Sequence, residues 1–201
     1  MKNRRKYIAL LLALILGWIC SCEKLESYPN EPSVEFLQVY IADTVTEMGN
    51  DMKYQKITIR VTDGDGNLGL DRSETTGVYS PESEYYNNLF ITISEKQADG
   101  SYQELKSLSE GLGYRIPYKA PVGQNVFLRA EVSITLETPL AFMDYDTIRY
   151  SFKVVDKDLN ESEIAHSCDI AIRRHGTIWA GGKESFFPIK EPEVDIPEQD
   201  Q

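Results

Sequence analysis

The chain predicts an all-β protein, a single antiparallel β-sandwich behind an N-terminal export signal. Three observations carry that prediction. Several short runs alternate apolar and polar residues, the period of a strand with one buried face. After residue 21 no apolar set recurs at helical spacing between caps. Turn residues separate the runs, and long and short connections mix, as a Greek-key sandwich requires.

Residues 1–21 read as a signal peptide. Lys2, Arg4, Arg5 and Lys6 form a basic head, and Tyr7 to Cys20 follows without a charge. This apolar run is shorter than the roughly 18 residues of a spanning helix, so a permanent transmembrane anchor is the weaker reading. Ile19-Cys20-Ser21-Cys22 resembles a bacterial lipobox with Cys22 as lipid acceptor. Cys20 is the worse acceptor, since Trp18 and Ile19 would stand where the peptidase takes small groups. Residues 22–33 contain Pro29 and Pro32 and no apolar period, and read as a tether.

The sandwich is expected over residues 34–174. Val34 to Asp43 is β-branched and aromatic, and in Lys53 to Thr62 the residues Ile57, Ile59 and Val61 alternate with Lys56, Thr58 and Arg60. A long connection leads to a strand at Leu89 to Gln97, a turn at Ala98-Asp99-Gly100 and a return strand at Ser101 to Leu108. Leu112 to Tyr118 is a short edge segment stopped by Pro117. Asn125 to Leu136, Asp146 to Val155 and Glu163 to Arg173 complete the set. Residues 175–201, rich in glycine and proline with an acidic end, are expected to form a mostly disordered tail.

Charge and cysteines narrow the partners. The whole chain carries a net charge of −11, and loss of residues 1–21 removes four cations and no acid, leaving about −15. Such a surface repels nucleic acid and anionic head groups. After cleavage only Cys22 and Cys168 remain, so no internal disulfide is available. Cys168 shares an alternating face with Ile164, His166 and Ile170 and reads as a buried small residue rather than a nucleophile.

The most specific internal pattern is Asp63-Gly64-Asp65-Gly66-Asn67-Leu68-Gly69. Asp63, Asp65 and Asn67 set hard oxygens at alternate positions, and Asp71 and Glu74 fall where a calcium loop supplies its last ligands. Leu68 occupies the place of the turn glycine and no helix flanks the loop, which excludes an EF-hand. A tight turn whose side chains bond their own backbone is the plainer expectation, with calcium the one candidate cofactor and none required. Val154-Val155-Asp156-Lys157-Asp158-Leu159-Asn160 repeats the V-x-D-x-D-x-N order of Val61 to Asn67, and Lys157 argues against calcium in that copy. Gly64, Gly66 and Gly69 spell G-x-G-x-x-G, but no helix follows and the flanking aspartates would repel a phosphate.

No catalytic residue stands out. His166 and His175 are the only histidines, and no nucleophile or zinc motif is present. The long connection Thr75 to Asn88 offers Tyr79 and Tyr85 as flat faces for a ligand, with the alternative that its tyrosines pack at the next strand.

Taken together, the order D-G-D-G-N-L-G (63–69), Y-Y-N-N-L-F (85–90), E-K-Q-x-D-G (95–100), R-I-P (115–117), D-T-I-R-Y (146–150) and V-V-D-K-D-L-N-E-S (154–162) resembles a group of Bacteroidetes lipoproteins of unknown function. The resemblance covers about residues 33–173. It implies an immunoglobulin-like sandwich held to the outer membrane by a lipid anchor, on a face left open, and it implies no activity. The expectation is a non-enzymatic binding or structural module, its partner a glycan or an outer-membrane protein. The competing class is a carbohydrate-active enzyme using surface carboxylates.

Overall fold

The computed structural model describes residues 28–120 and 126–186. Residues 1–27, with the expected signal segment and the expected lipid acceptor Cys22, and residues 121–125 and 187–201 lie outside the described residues.

Two antiparallel sheets pack face to face as an immunoglobulin-like sandwich. One has the order β11-β10-β1-β2-β6, built from β1 (Ser33–Val45), β2 (Asp51–Asp63), β6 (Leu128–Pro139), β10 (Thr177–Ala180) and β11 (Lys183–Phe186). The other has the order β4-β3-β7-β8, from β3 (Leu89–Lys96), β4 (Tyr102–Glu104), β7 (Thr147–Val154) and β8 (Ala165–His166). Two short strands complete it: β5 (Gly113–Tyr114) on β3 and β9 (Ile170–Ala171) on β7.

The alternation seen in the sequence becomes the core. Ile57, Ile59 and Val61 of β2 are fully buried, as are Val39 and Ile41 of β1. They face Leu89, Ile91 and Ile93 of β3 and Ile148, Tyr150, Phe152 and Val154 of β7. Each such side chain contributes about 1.5–3 kcal/mol by leaving water. Phe36 stacks on Phe152 across the gap, ring centroids 6.1 Å apart. The inward face of β2 continues through polar residues at its start. Buried Lys53 pairs with Asp43 and donates to the Arg174 carbonyl at 3.2 Å. Buried Gln55 accepts from the Tyr150 hydroxyl and donates to Thr138. Burial is tolerated there because each polar head has a partner.

Four expectations need correction. The domain does not end at 174: β10 pairs with β1 from Gln38↔Ala180 to Ile41↔Thr177, and β11 pairs with β10. Trp179 packs against the core, so this glycine-rich stretch is a strand because its few apolar residues cover the edge of β1. The tether closes on the fold before residue 33, since Gly64 donates its N–H to the Pro29 carbonyl at 2.9 Å. The return strand at Ser101 to Leu108 shortens to β4 and a one-turn helix, Lys106–Ser109. Finally, Glu163 to Arg173 does not alternate as one strand. Ser162 and Ser167 accept the Val154 and Tyr150 N–H groups through their hydroxyls, interrupting the ladder on either side of β8. Ile164 is consequently exposed and Cys168 only half-buried, its thiol pushed up by burial.

Candidate functional site

The site lies where β2 and β7 leave the sandwich. Each strand runs into a turn of the same sequence pattern, and each turn has a positive-φ residue at the same place in that pattern. Gly66 in the first has φ of 70° and Leu159 in the second has φ of 65°. Leu159 is the only non-glycine residue with positive φ among those described, a conformation that costs a branched side chain roughly 1–2 kcal/mol. The turn's hydrogen bonds hold it there. Asp156 accepts from the Asn160 N–H at 2.8 Å through Oδ1 and from Asn160 Nδ2 at 2.8 Å through Oδ2.

The first turn is closed less completely. Asp63 is fully buried, and its Oδ2 accepts from the Leu68 N–H at 2.6 Å. Asp63 Oδ1 is buried with no hydrogen-bond donor, and so is Asn67 Oδ1. Asp65 accepts from the Asn67 N–H at 3.3 Å and from Asn67 Nδ2 at 3.1 Å. The same Nδ2 donates to Asp158 Oδ2 at 2.9 Å, which ties the two turns together. Burial raises the Asp63 carboxyl to about 6 against the lowering effect of the Leu68 N–H, and the neighbouring Asp65 and Asp156 charges add to the rise. Gly64 sits under the incoming chain; a Cβ there would lie 2.3 Å from the Pro29 and Tyr28 carbonyl oxygens.

Asp71 and Glu74 do not join Asp63, Asp65 and Asn67 as ligands, which corrects the five-residue calcium loop. Asp71 accepts from the Ser73 N–H and hydroxyl, and its carboxyl is held low by them. Glu74 accepts from the Asp71 N–H and pairs with Lys157 at 2.9 Å, and these contacts lower its carboxyl as well. After Gly69 the chain is fixed by Leu70, which is buried and bridges to Pro117. Among the described residues no three His, Cys, Asp or Glu side chains already stand around one point as a metal cage.

The long connection is largely exposed but is tied to the second turn through Tyr79 and Glu74. The Tyr79 hydroxyl donates to the Lys157 carbonyl at 2.8 Å, so Tyr79 is part of the fold's own bonding. Tyr85 is half-buried on a short 3-10 turn, Glu84–Tyr86, whose start is capped by Ser83. Arg115 donates to the carbonyls of Tyr86, Asp71 and Glu74 and lies over the Tyr86 ring at 4.8 Å. Sequence reasoning gave Arg115, Lys157 and Asp158 no structural role at the site, because their partners lie far along the chain. The repeated V-x-D-x-D-x-N pattern was the one signal that pointed to the second turn.

A separate hollow of about 590 Å³ opens at the edge of β3 and β5, lined by Phe90, Thr92, Glu104, Lys106, Glu110 and Leu112 among others. It shares no lining residue with the acidic turns. Comparisons with protein families, with curated proteins and with solved structures find no match to this chain.

Proposed function

We propose that the chain is a non-enzymatic binding or structural module, exported and held at the outer membrane by lipid on Cys22. The observation that carries this reading is the opening of the chain: a basic head, an uncharged run and Ile19-Cys20-Ser21-Cys22, followed by a short proline-containing tether and then a β-sandwich. The resemblance to Bacteroidetes lipoproteins supports the same placement. A binding or structural role is favoured over catalysis because the carboxylates of the double turn serve the fold. Asp63 and Asp156 close the turns by accepting from backbone N–H groups, and Glu74 beside them holds Lys157. The strongly acidic surface suits a glycan or another envelope protein as partner.

The test is acylation and fractionation of the full chain in a Gram-negative host. Wild type should incorporate labelled palmitate and sediment with the outer membrane, where two or more acyl chains hold it stably. Cys22→Ala should lose the label and leave that fraction. Membrane retention of the unlabelled variant would overturn the reading.

A further inference from the structure

The two turns supply an internal comparison. They share the V-x-D-x-D-x-N pattern and a positive φ at the same place in it, yet only one is self-sufficient. In the second, both Asp156 oxygens have donors from Asn160. In the first, Asp63 is fully buried with Oδ1 bare, and Asn67 Oδ1 in the same turn is buried and bare as well. Buried acceptors in a folded protein are nearly always satisfied, and a bare carboxylate oxygen is among the costliest exceptions. Asp65, a carboxylate within hydrogen-bonding reach of Asp63, can satisfy it only by sharing a proton with it. The surrounding backbone does not satisfy it, since its one contribution is the Leu68 N–H on the other oxygen.

The donor types decide what the missing partner is. Two carboxylates and a side-chain amide oxygen form a hard, anionic set, and Asp158 adds a third carboxylate through its contact with Asn67. At present the Asn67 amide nitrogen stands between Asp65 and Asp158 and draws them together. A half-turn of that amide presents Oδ1 to the same two carboxylates. Lys157, the cation that argued against a metal, is drawn aside to Glu74 and the Tyr118 ring.

We propose that Asp63, Asp65 and Asn67 of the first turn, with Asp158 of the second, bind one calcium-class divalent cation where the tether meets the sandwich. Backbone carbonyls and water complete the six to eight oxygens such an ion takes. The ion joins the ends of β2 and β7, one from each sheet, and stiffens the turn on which the Pro29 carbonyl rests. A cell-envelope location suits it, because extracellular modules bind calcium at about 0.1–1 mM.

The experiment uses the full chain stripped with chelator and titrated with calcium, with magnesium as comparison, read by melting temperature and by calorimetry. Calcium at about a hundred times its Kd should raise Tm by about 5–10 °C, saturably. Magnesium should do less, because it keeps its water and demands a tighter octahedron. Asp158 is exposed, so Asp158→Asn should fold as wild type does and weaken calcium about tenfold or more. Asp99→Asn, a remote exposed acid in the β3–β4 turn, should leave the affinity unchanged. No Tm shift up to about 10 mM calcium overturns the proposal. So does equal weakening by both variants, which would mean diffuse attraction to an acidic surface.

Discussion

Asp63 is the residue on which the double turn hinges. Its carboxyl sits at about 6 in the folded chain against an ordinary 3.8, so the folded state holds this proton more tightly than the unfolded one. Ionised Asp63 therefore costs stability above about pH 6, and the cost fades as pH falls from there toward the unfolded value. Two pH units at about 1.4 kcal/mol each set the scale at about 2–3 kcal/mol. Asp63→Asn keeps an oxygen for the Leu68 N–H and turns an amide N–H toward Asp65. In chelator at about pH 7 the variant should melt above wild type, with the gap closing toward about pH 4. Carboxylates held low by their partners, such as Asp71 and Glu74, lose stability over the same range in both chains and cancel in the difference. Calcium should add nothing to the variant. A gap that does not change with pH would mean that Asp63 is no strained carboxylate. Gly64 adds a second constraint in the same turn, since any side chain there meets the Tyr28 and Pro29 backbone.

At the scale of elements, the connection from Asp71 to Asn88 is ordered by its attachments more than by its own secondary structure. Arg115 is the main clamp, offering N–H donors to three carbonyls that lie 29 to 44 residues away in sequence. Arg115→Gln leaves those carbonyls short of donors and should cost about 2 kcal/mol. Limited proteolysis should then cut between residues 71 and 87 faster than in wild type. Unchanged cleavage would assign the loop's order to Tyr79 and Lys157 instead. The tyrosines of this loop were legible as aromatic, but not as spoken for. Tyr79 looked like an open face because its acceptor, the Lys157 carbonyl, is 78 residues on. Arg115 was legible only as the first residue of R-I-P, and its clamping role was not, since a guanidinium that serves backbone oxygens leaves no pattern in side-chain types.

The whole molecule depends on covering the edge of β1. Thr177–Ala180 does this, placing Trp179 over the core and pairing with Gln38 to Ile41. A chain ending at Arg174 should melt well below one ending at Phe186 and expose a sticky edge, read by calorimetry and light scattering. Equal melting temperatures would mean that β10 and β11 add no stability. The β-sandwich itself was readable by residue type, because strand periodicity is local. Ile57, Ile59 and Val61 alternate with polar neighbours whatever they pack against, and the strands β1, β2, β3, β6 and β7 follow that signal closely. The end of the domain was not readable. Glycines at 176, 181 and 182 outweigh Ile178 and Trp179 in composition, and only the open edge of β1 makes a strand of them. The same limit governs the acidic site. By itself the sequence determined two turns of one pattern and the hard oxygens they carry. Counting along the chain then pointed to Asp71 and Glu74, whereas the fold engages those two with Ser73 and Lys157 and brings Asp158, 91 residues from Asn67, into contact. Which carboxylates share a site is set by how two sheets stack, and that is a non-local outcome of burying their apolar faces.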